Sequence, residues 1–166
     1  MKFFAQPSLS VLAVCTANIC RSPMVEGILR EELKLINAQR KVRVDSAGTA
    51  ASQAGHPADG RAMQACAREG VDLRKCRARQ VVDDDFAQFD YLLAVDNANR
   101  EWLLAHCPEH HAHKISRLGD WASSGSVGDI PDPYYGSVAG FEETLTLLHR
   151  SIDGFVLHLA AQLEQM

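Results

Sequence analysis

VCTANICRSPM, residues Val14 to Met24, decides how the chain is read. It closes a short apolar run, Ser10 to Val14, that reads as a buried strand. It then opens a helix. Ser22 is placed to cap it, and Pro23 suits the first helical position, where a missing N–H costs nothing. Val25, Ile28, Leu29, Leu33 and Ile36 follow at helical spacing, with charges between them. A strand, a tight loop and a helix N-terminus in succession form an anion-binding device. The first helical N–H groups lack internal partners, and the helix dipole adds positive potential there. The N–H groups of Thr16, Ala17, Asn18, Ile19, Cys20 and Arg21 can converge on one phosphate, and the Arg21 guanidinium adds a fork matched to two of its oxygens. No glycine and no Gly-Lys-Ser/Thr is present, so this is not the nucleotide-binding loop.

The cysteine at the strand end gives the loop a second meaning. A dipole and an arginine that attract an oxyanion also stabilise a thiolate. A thiolate at the base of a phosphate cradle is a nucleophile aimed at phosphorus. Ser22 can donate its hydroxyl to the Cys15 sulfur, and Asn18 tolerates the left-handed backbone a tight cradle needs. Taken alone, Cys15 would be read as a core residue, as most cysteines after apolar runs are. The combination of Cys, five residues, Arg and Ser-Pro at a strand-to-helix junction is what favours chemistry.

Outward from the loop, strands alternate with helices. Lys41 to Val44 and Asp90 to Val95 read as strands, and Lys114 to Leu118 as a short one. Helices are predicted over Ala58 to Arg68, Asn99 to Ala105 and Phe141 to Leu163. The last has Leu145, Leu148, Ile152, Phe155, Val156 and Leu159 on one face and a local weak point at Gly154. A loop rich in Gly, Ser, Asp and Pro spans Gly119 to Gly140, and Asp83-Asp84-Asp85 reads as a helix start with carboxylates facing the dipole. The pattern implies an α/β sandwich with a mainly parallel sheet, whose ligand crevice lies beyond the strand C-termini at a switch in strand order.

The chain has 166 residues, which suits one domain over 1–166, and 46% hydrophobic residues supply a core. A formal net charge of −4 argues against nucleic acid or an anionic membrane as partner through bulk electrostatics. The opening MKFFAQPSLSVLAVC is broken by Gln6, Pro7, Ser8 and Ser10, unlike an export leader, and no segment is long enough for a membrane span. Five cysteines without regular spacing make a poor disulfide framework, which fits a cytoplasmic protein.

CTANICRS resembles the active-site loop of the low-molecular-weight protein tyrosine phosphatases, Cys-x5-Arg-Ser. Ser46 to Thr49, Val95 to Asn99 and Asp132 to Tyr135 (Asp-Pro-Tyr-Tyr) resemble three further segments of that family, in the same order. The resemblance implies a three-layer sandwich with a four-stranded sheet of order 2-1-3-4. It implies Cys15 as nucleophile, Arg21 as phosphate clamp and Asp132 as general acid and then base. Asn18, Ser22 and Ser46 would hold the loop in shape, and Tyr134 and Tyr135 would wall the cleft. Cys20 matches the second loop cysteine, which can pair reversibly with the nucleophile. The substrate implied is a tyrosine-phosphorylated protein, such as a bacterial tyrosine kinase of polysaccharide synthesis or export, and the product inorganic phosphate. No metal or cofactor is called for, because Arg21 and the backbone carry the charge. Two positions depart from the pattern. Ala17 stands where the family usually has glycine and would cost roughly 1–2 kcal/mol if φ had to be positive. Val95 replaces a methionine.

Other readings compete. Thioredoxin-coupled arsenate reductases resemble the same loop, including Met24 to Gly27, but need a relay pair that Cys66, Cys76 and Cys107 do not suggest. Phosphoarginine phosphatases of the same family carry threonine where this chain has Ile19. The stretch Ala105 to His113 is rich in metal-ligand types, yet its spacing fits no closed zinc set and favours a solvated helix end. A phosphotyrosine-binding module without catalysis would normally have lost Cys15 or Asp132, and both are present.

Overall fold

A computed structural model describes residues 6–166. The opening MKFFA, part of the stretch read above for an export leader, lies outside them. The strands are β1 (Leu9–Cys15), β2 (Val42–Gly48), β3 (Tyr91–Ala94) and β4 (Ile115–Arg117). All pair in parallel in the order β2-β1-β3-β4. The helices are α1 (Arg21–Leu35), α2 (Gly60–Ala67), α3 (Asp83–Gln88), α4 (Asn97–His106) and α5 (Val138–Glu164), with 3₁₀ turns at Glu109–Lys114 and Leu118–Trp121.

β1 explains why the sheet has two covered faces. Val11, Ala13 and Cys15 enter one apolar cluster with α1, α2 and α5, while Leu12 and Val14 enter a second with Phe86, Phe89, Leu103 and Ile115. A strand buried on both sides reads as a continuous apolar run rather than an alternating one. The chain leaves β1 toward β2 on one side and later returns to β3 on the other. The crevice at this reversal of strand order opens above the C-terminal end of β1, where Cys15 pairs with Gly48.

Several expectations change in detail. α1 begins at Arg21 rather than after Ser22, and its N-cap position, Cys20, makes no side-chain cap. Ser22 therefore lies inside the first turn, where its hydroxyl is free to face the loop. Pro23 still falls among the N–H groups that a helix leaves unpaired. Ile36 does not join the buried stripe. The helix ends at Leu35, and Ile36 is 41% exposed. α4 starts two residues earlier than read, because the Asp96 carboxylate caps it by accepting from Asn99 N–H at 2.8 Å. The stretch Gly119 to Gly140 is not all loop, since the Leu118–Trp121 turn and the first residues of α5 lie in it. Gly154 does not interrupt α5. A Cβ there would collide with the Trp121 carbonyl oxygen and come within 2.9 Å of Ser123 N, so glycine lets that turn pack directly on the helix.

Candidate active site

Cys15 is the last residue of β1, and its Sγ is 3.0 Å from Ser22 Oγ. The Asn18 backbone N–H donates to the same sulfur at 3.3 Å. Asn18 is the residue that turns the loop, with φ of 57°. Ala17 is not in the left-handed region, so its side chain carries no backbone cost here.

The side chain of Asn18 gives the network a direction. Arg79 N–H donates to Asn18 Oδ1 at 2.9 Å, which leaves the Nδ2 group as donor to Ser22 Oγ (2.8 Å) and Ser46 Oγ (2.9 Å). Ser46 passes its own proton to Glu26 at 2.5 Å. Ser22, already an acceptor from Asn18, has its proton available for the sulfur at 3.0 Å, with the Ala47 carbonyl as a longer alternative at 3.5 Å. Glu26 is 5% exposed and is held by Arg30 at 2.7 Å. Burial pushes its carboxyl above the ordinary glutamate range, opposed by the Ser46 hydrogen bond and by Arg30.

Arg21 is buried, with 4% of its side chain exposed. Nη1 bonds Asp96 Oδ2 at 2.6 Å and the Ile130 carbonyl at 2.9 Å, and Nη2 faces Asp132 Oδ2 at 3.6 Å. An unpaired guanidinium at this depth would cost about 3–5 kcal/mol, so Asp96 is what allows Arg21 to stay there. Thr16 and Thr49 both donate to Asn99 Oδ1, at 3.3 and 3.0 Å, tying the loop to α4.

These groups enclose a cleft of about 290 Å³. Cys15 and the loop from Thr16 to Arg21 form its base. Asp132, Tyr134 and Tyr135 line it too, the two rings edge to face at 4.9 Å, as do Ser52 and Gln53. A larger cleft of about 440 Å³ runs along α2 and residues 70–74, but its two charged groups, Asp72 and Arg74, are paired with each other at 2.9 Å. The chemistry-bearing side chains gather in the smaller one.

The remaining cysteines stand apart from that cleft, except Cys20. All five are free thiols. Burial, with help from Asp59, Cys15 and Asp132, pushes the Cys20 thiol up to about 12. Burial likewise takes Cys66 and Cys76 to about 12. In the histidine-rich stretch, His106 Nδ1 bonds the Trp102 carbonyl at 2.7 Å and the ring stacks on Trp102. Among the described residues no three His, Cys, Asp or Glu side chains gather as a metal set.

Sequence reasoning placed Glu26, Asp96 and Asn99 in segments that carry a resemblance, Met24 to Gly27 and Val95 to Asn99, without giving them a role, and it did not name Ser52 or Gln53. Ser22, Glu26 and Arg30 did carry a signal, being polar residues spaced four apart in the first turns of α1. The Arg79 backbone contact had none, since any residue presents an N–H.

The family model for the low molecular weight phosphotyrosine protein phosphatases matches residues 10–165. The chain belongs to that family. A human member is 37% identical over 82% of this chain and 87% of its own. A putative member from Synechocystis is 35% identical over 93% of this chain and 99% of its own. A crystal structure of protein tyrosine phosphatase from Entamoeba histolytica, with Hepes in the active site, superposes with a TM-score of 0.89 at 34% identity, covering 93% of this chain and 99% of that one. The all-parallel sheet of order 2-1-3-4 is the fold that the resemblance implied. The protein is a hydrolase of this family. No helix among the described residues is long and apolar enough to cross a membrane.

Proposed function

We propose that the protein removes phosphate from phosphotyrosine in proteins, and from small aryl phosphates, through a cysteinyl-phosphate intermediate. The observation that carries this reading is the convergence of Cys15, Ser22, Arg21 and Asp132 at one cleft, with Ser22 3.0 Å from the sulfur and Arg21 3.6 Å from Asp132.

The Cys15 thiolate attacks phosphorus in line with the aryl oxygen. The S–P bond forms as the O–P bond breaks, and Asp132 gives its proton to the departing phenol oxygen. Asp132, now a carboxylate, takes a proton from water as that water attacks the same phosphorus. The S–P bond breaks, the thiolate returns and inorganic phosphate leaves. Arg21 and the loop N–H groups hold the equatorial oxygens. The carbonyls of Cys15, Thr16, Ile19 and Cys20 all accept bonds from Thr49, Ala50, Asp59 and Met24. In a planar trans peptide the N–H points opposite to its C=O, so the N–H groups that follow are turned the other way. Ser22 steadies the sulfur as attacking and as leaving group, and Asn18 and Ser46 hold Ser22 in place.

Tyr134 and Tyr135 suit an aromatic ring, and Ile19 favours phosphotyrosine over phosphoarginine. The relatives' names carry the substrate class to tyrosine-phosphorylated protein, for which a bacterial tyrosine kinase is our candidate. A working thiolate needs a reducing compartment, hence the cytoplasm.

The test is hydrolysis of p-nitrophenyl phosphate across pH, with EDTA present, for the wild type, Cys15→Ser and Asp132→Asn. A rate with a mildly acidic maximum is expected, because Cys15 must be ionised while Asp132 is protonated. Cys15→Ser should abolish turnover. Absence of turnover by folded, reduced wild type overturns the proposal.

A further inference from the structure

The segment that carries Asp132 is weakly tied by its own bonds. Tyr134 N–H donates to Asp132 Oδ1 at 3.1 Å and Gly136 N–H to the Pro133 carbonyl at 3.0 Å, both within the segment. Before it, the chain is anchored where Ile130 N–H meets the Val95 carbonyl, and after it where Phe141 is fully buried. Arg21 faces Asp132 at 3.6 Å, beyond hydrogen-bond length. Between the two anchors a second charged side chain reaches the segment from elsewhere. The Arg61 guanidinium lies over the Tyr134 ring at 5.4 Å and over the Phe141 ring at 4.8 Å. Asp59 holds it flat through two fork contacts, from Nε at 3.1 Å and Nη2 at 3.0 Å. Asp59 N–H in turn donates to the Ile19 carbonyl of the phosphate loop at 2.7 Å.

We propose that Arg61 is a positioning residue for Asp132. Clamped by Asp59 to the phosphate loop, its guanidinium is the shelf on which Tyr134 rests, and it sets the reach of the aspartate to the leaving oxygen. A planar, delocalised cation is the right group for this. It can accept an aromatic ring on its face while its edge is bonded to a carboxylate, which an ammonium does less well. The inference rests on the reading of Asp132 as general acid.

That dependence supplies the test. A good leaving phenol departs without a proton, whereas a poor one needs the acid. Single-turnover and steady-state rates would be measured on a series of aryl phosphates, from dinitrophenyl to phenyl, for the wild type and for Arg61→Ala, Arg61→Lys, Asp132→Asn and the Arg61→Ala/Asp132→Asn double variant. Arg61→Ala should lower the single-turnover rate of phenol release from phenyl phosphate by roughly tenfold or more while changing release from the dinitrophenyl ester less than about threefold. Arg61→Lys should fall between. The double variant should be no slower on phenyl phosphate than Asp132→Asn alone, because Arg61 acts through that residue. An equal loss in the phenol-release step on every ester, a change confined to KM, or additive losses in the double variant would overturn the proposal. If Asp132→Asn itself leaves the leaving-group dependence unchanged, the general-acid reading is what fails. Should Arg61→Ala not fold, the lysine variant decides on the same comparison.

Discussion

At the scale of single residues, Asn18 does two jobs that call for different replacements. Its backbone holds φ of 57°, and its side chain bonds Ser22, Ser46 and the Arg79 N–H. Glycine keeps the backbone and loses the bonds; alanine loses both, at a further cost of about 1–2 kcal/mol for the left-handed conformation. Asn18→Gly should therefore be more stable than Asn18→Ala in thermal unfolding. Both should lose kcat, on the order of 10–100-fold, since Ser22 is no longer oriented toward the sulfur. Wild-type kcat in Asn18→Ala would show that the loop keeps its shape without this network. Ser22 shows how one residue can be read for the wrong reason. The motif Ser-Pro suggests a cap, but the helix starts two residues sooner, and of the two roles the sequence offers Ser22 the hydroxyl is left for the other, 3.0 Å from the Cys15 sulfur.

Among the elements, the junction of α5 with the Leu118–Trp121 turn depends on the missing side chain at position 154. Helix propensity counts Gly154 as a weak point, worth roughly 1 kcal/mol against alanine. Packing reverses the sign, because the added Cβ would meet the Trp121 carbonyl. Gly154→Ala should destabilise the protein by about 1–3 kcal/mol despite its better propensity, read as a fall in Tm of roughly 2–4 °C per kcal/mol. An unchanged or higher Tm would mean that the turn moves aside freely. The cap of α4 likewise serves more than its helix. Asp96 uses one oxygen on Asn99 N–H and the other on Arg21, so the element that supports the fourth strand also holds the buried guanidinium.

Across the whole molecule, the buried cysteines differ in surroundings rather than in burial, since Cys15 is itself 3% exposed and lies at the base of the cleft. Cys20, Cys66 and Cys76 are buried and pushed up to about 12. Ionisation of such thiols is suppressed at neutral pH, and only the thiolate reacts. Burial also raises the Cys107 thiol, at the end of α4. Iodoacetamide should therefore label Cys15 ahead of Cys20, Cys66 and Cys76 in the folded protein, with the half-buried Cys107 as the accessible comparison, and inorganic phosphate should protect Cys15 alone. Because burial disfavours their thiolates, raising the pH to 9 should add little labelling at Cys20, Cys66 and Cys76. Mass spectrometry after brief exposure checks this. Rapid labelling of Cys20 would show that the loop opens.

What the sequence determined by itself was whatever depends on local order and short spacing. The apolar run into Cys15, the five residues to Arg21 and the helical stripe beyond them are set by covalent distance, and they place a loop on a strand-to-helix junction. The alternation of strands and helices likewise points to a parallel sheet, since each crossover needs a helix. What only the tertiary structure decided is which distant groups meet that loop. Asp96 lies 75 residues from Arg21, and Arg79 lies 61 from Asn18. Neither separation leaves a periodic trace. Those contacts arise because β1 has β2 on one side and β3 on the other, which brings the chain segments after three strands to one crevice. A buried guanidinium and a buried carboxyl must then be paired wherever the chain can supply a partner, and that is a condition on space rather than on sequence.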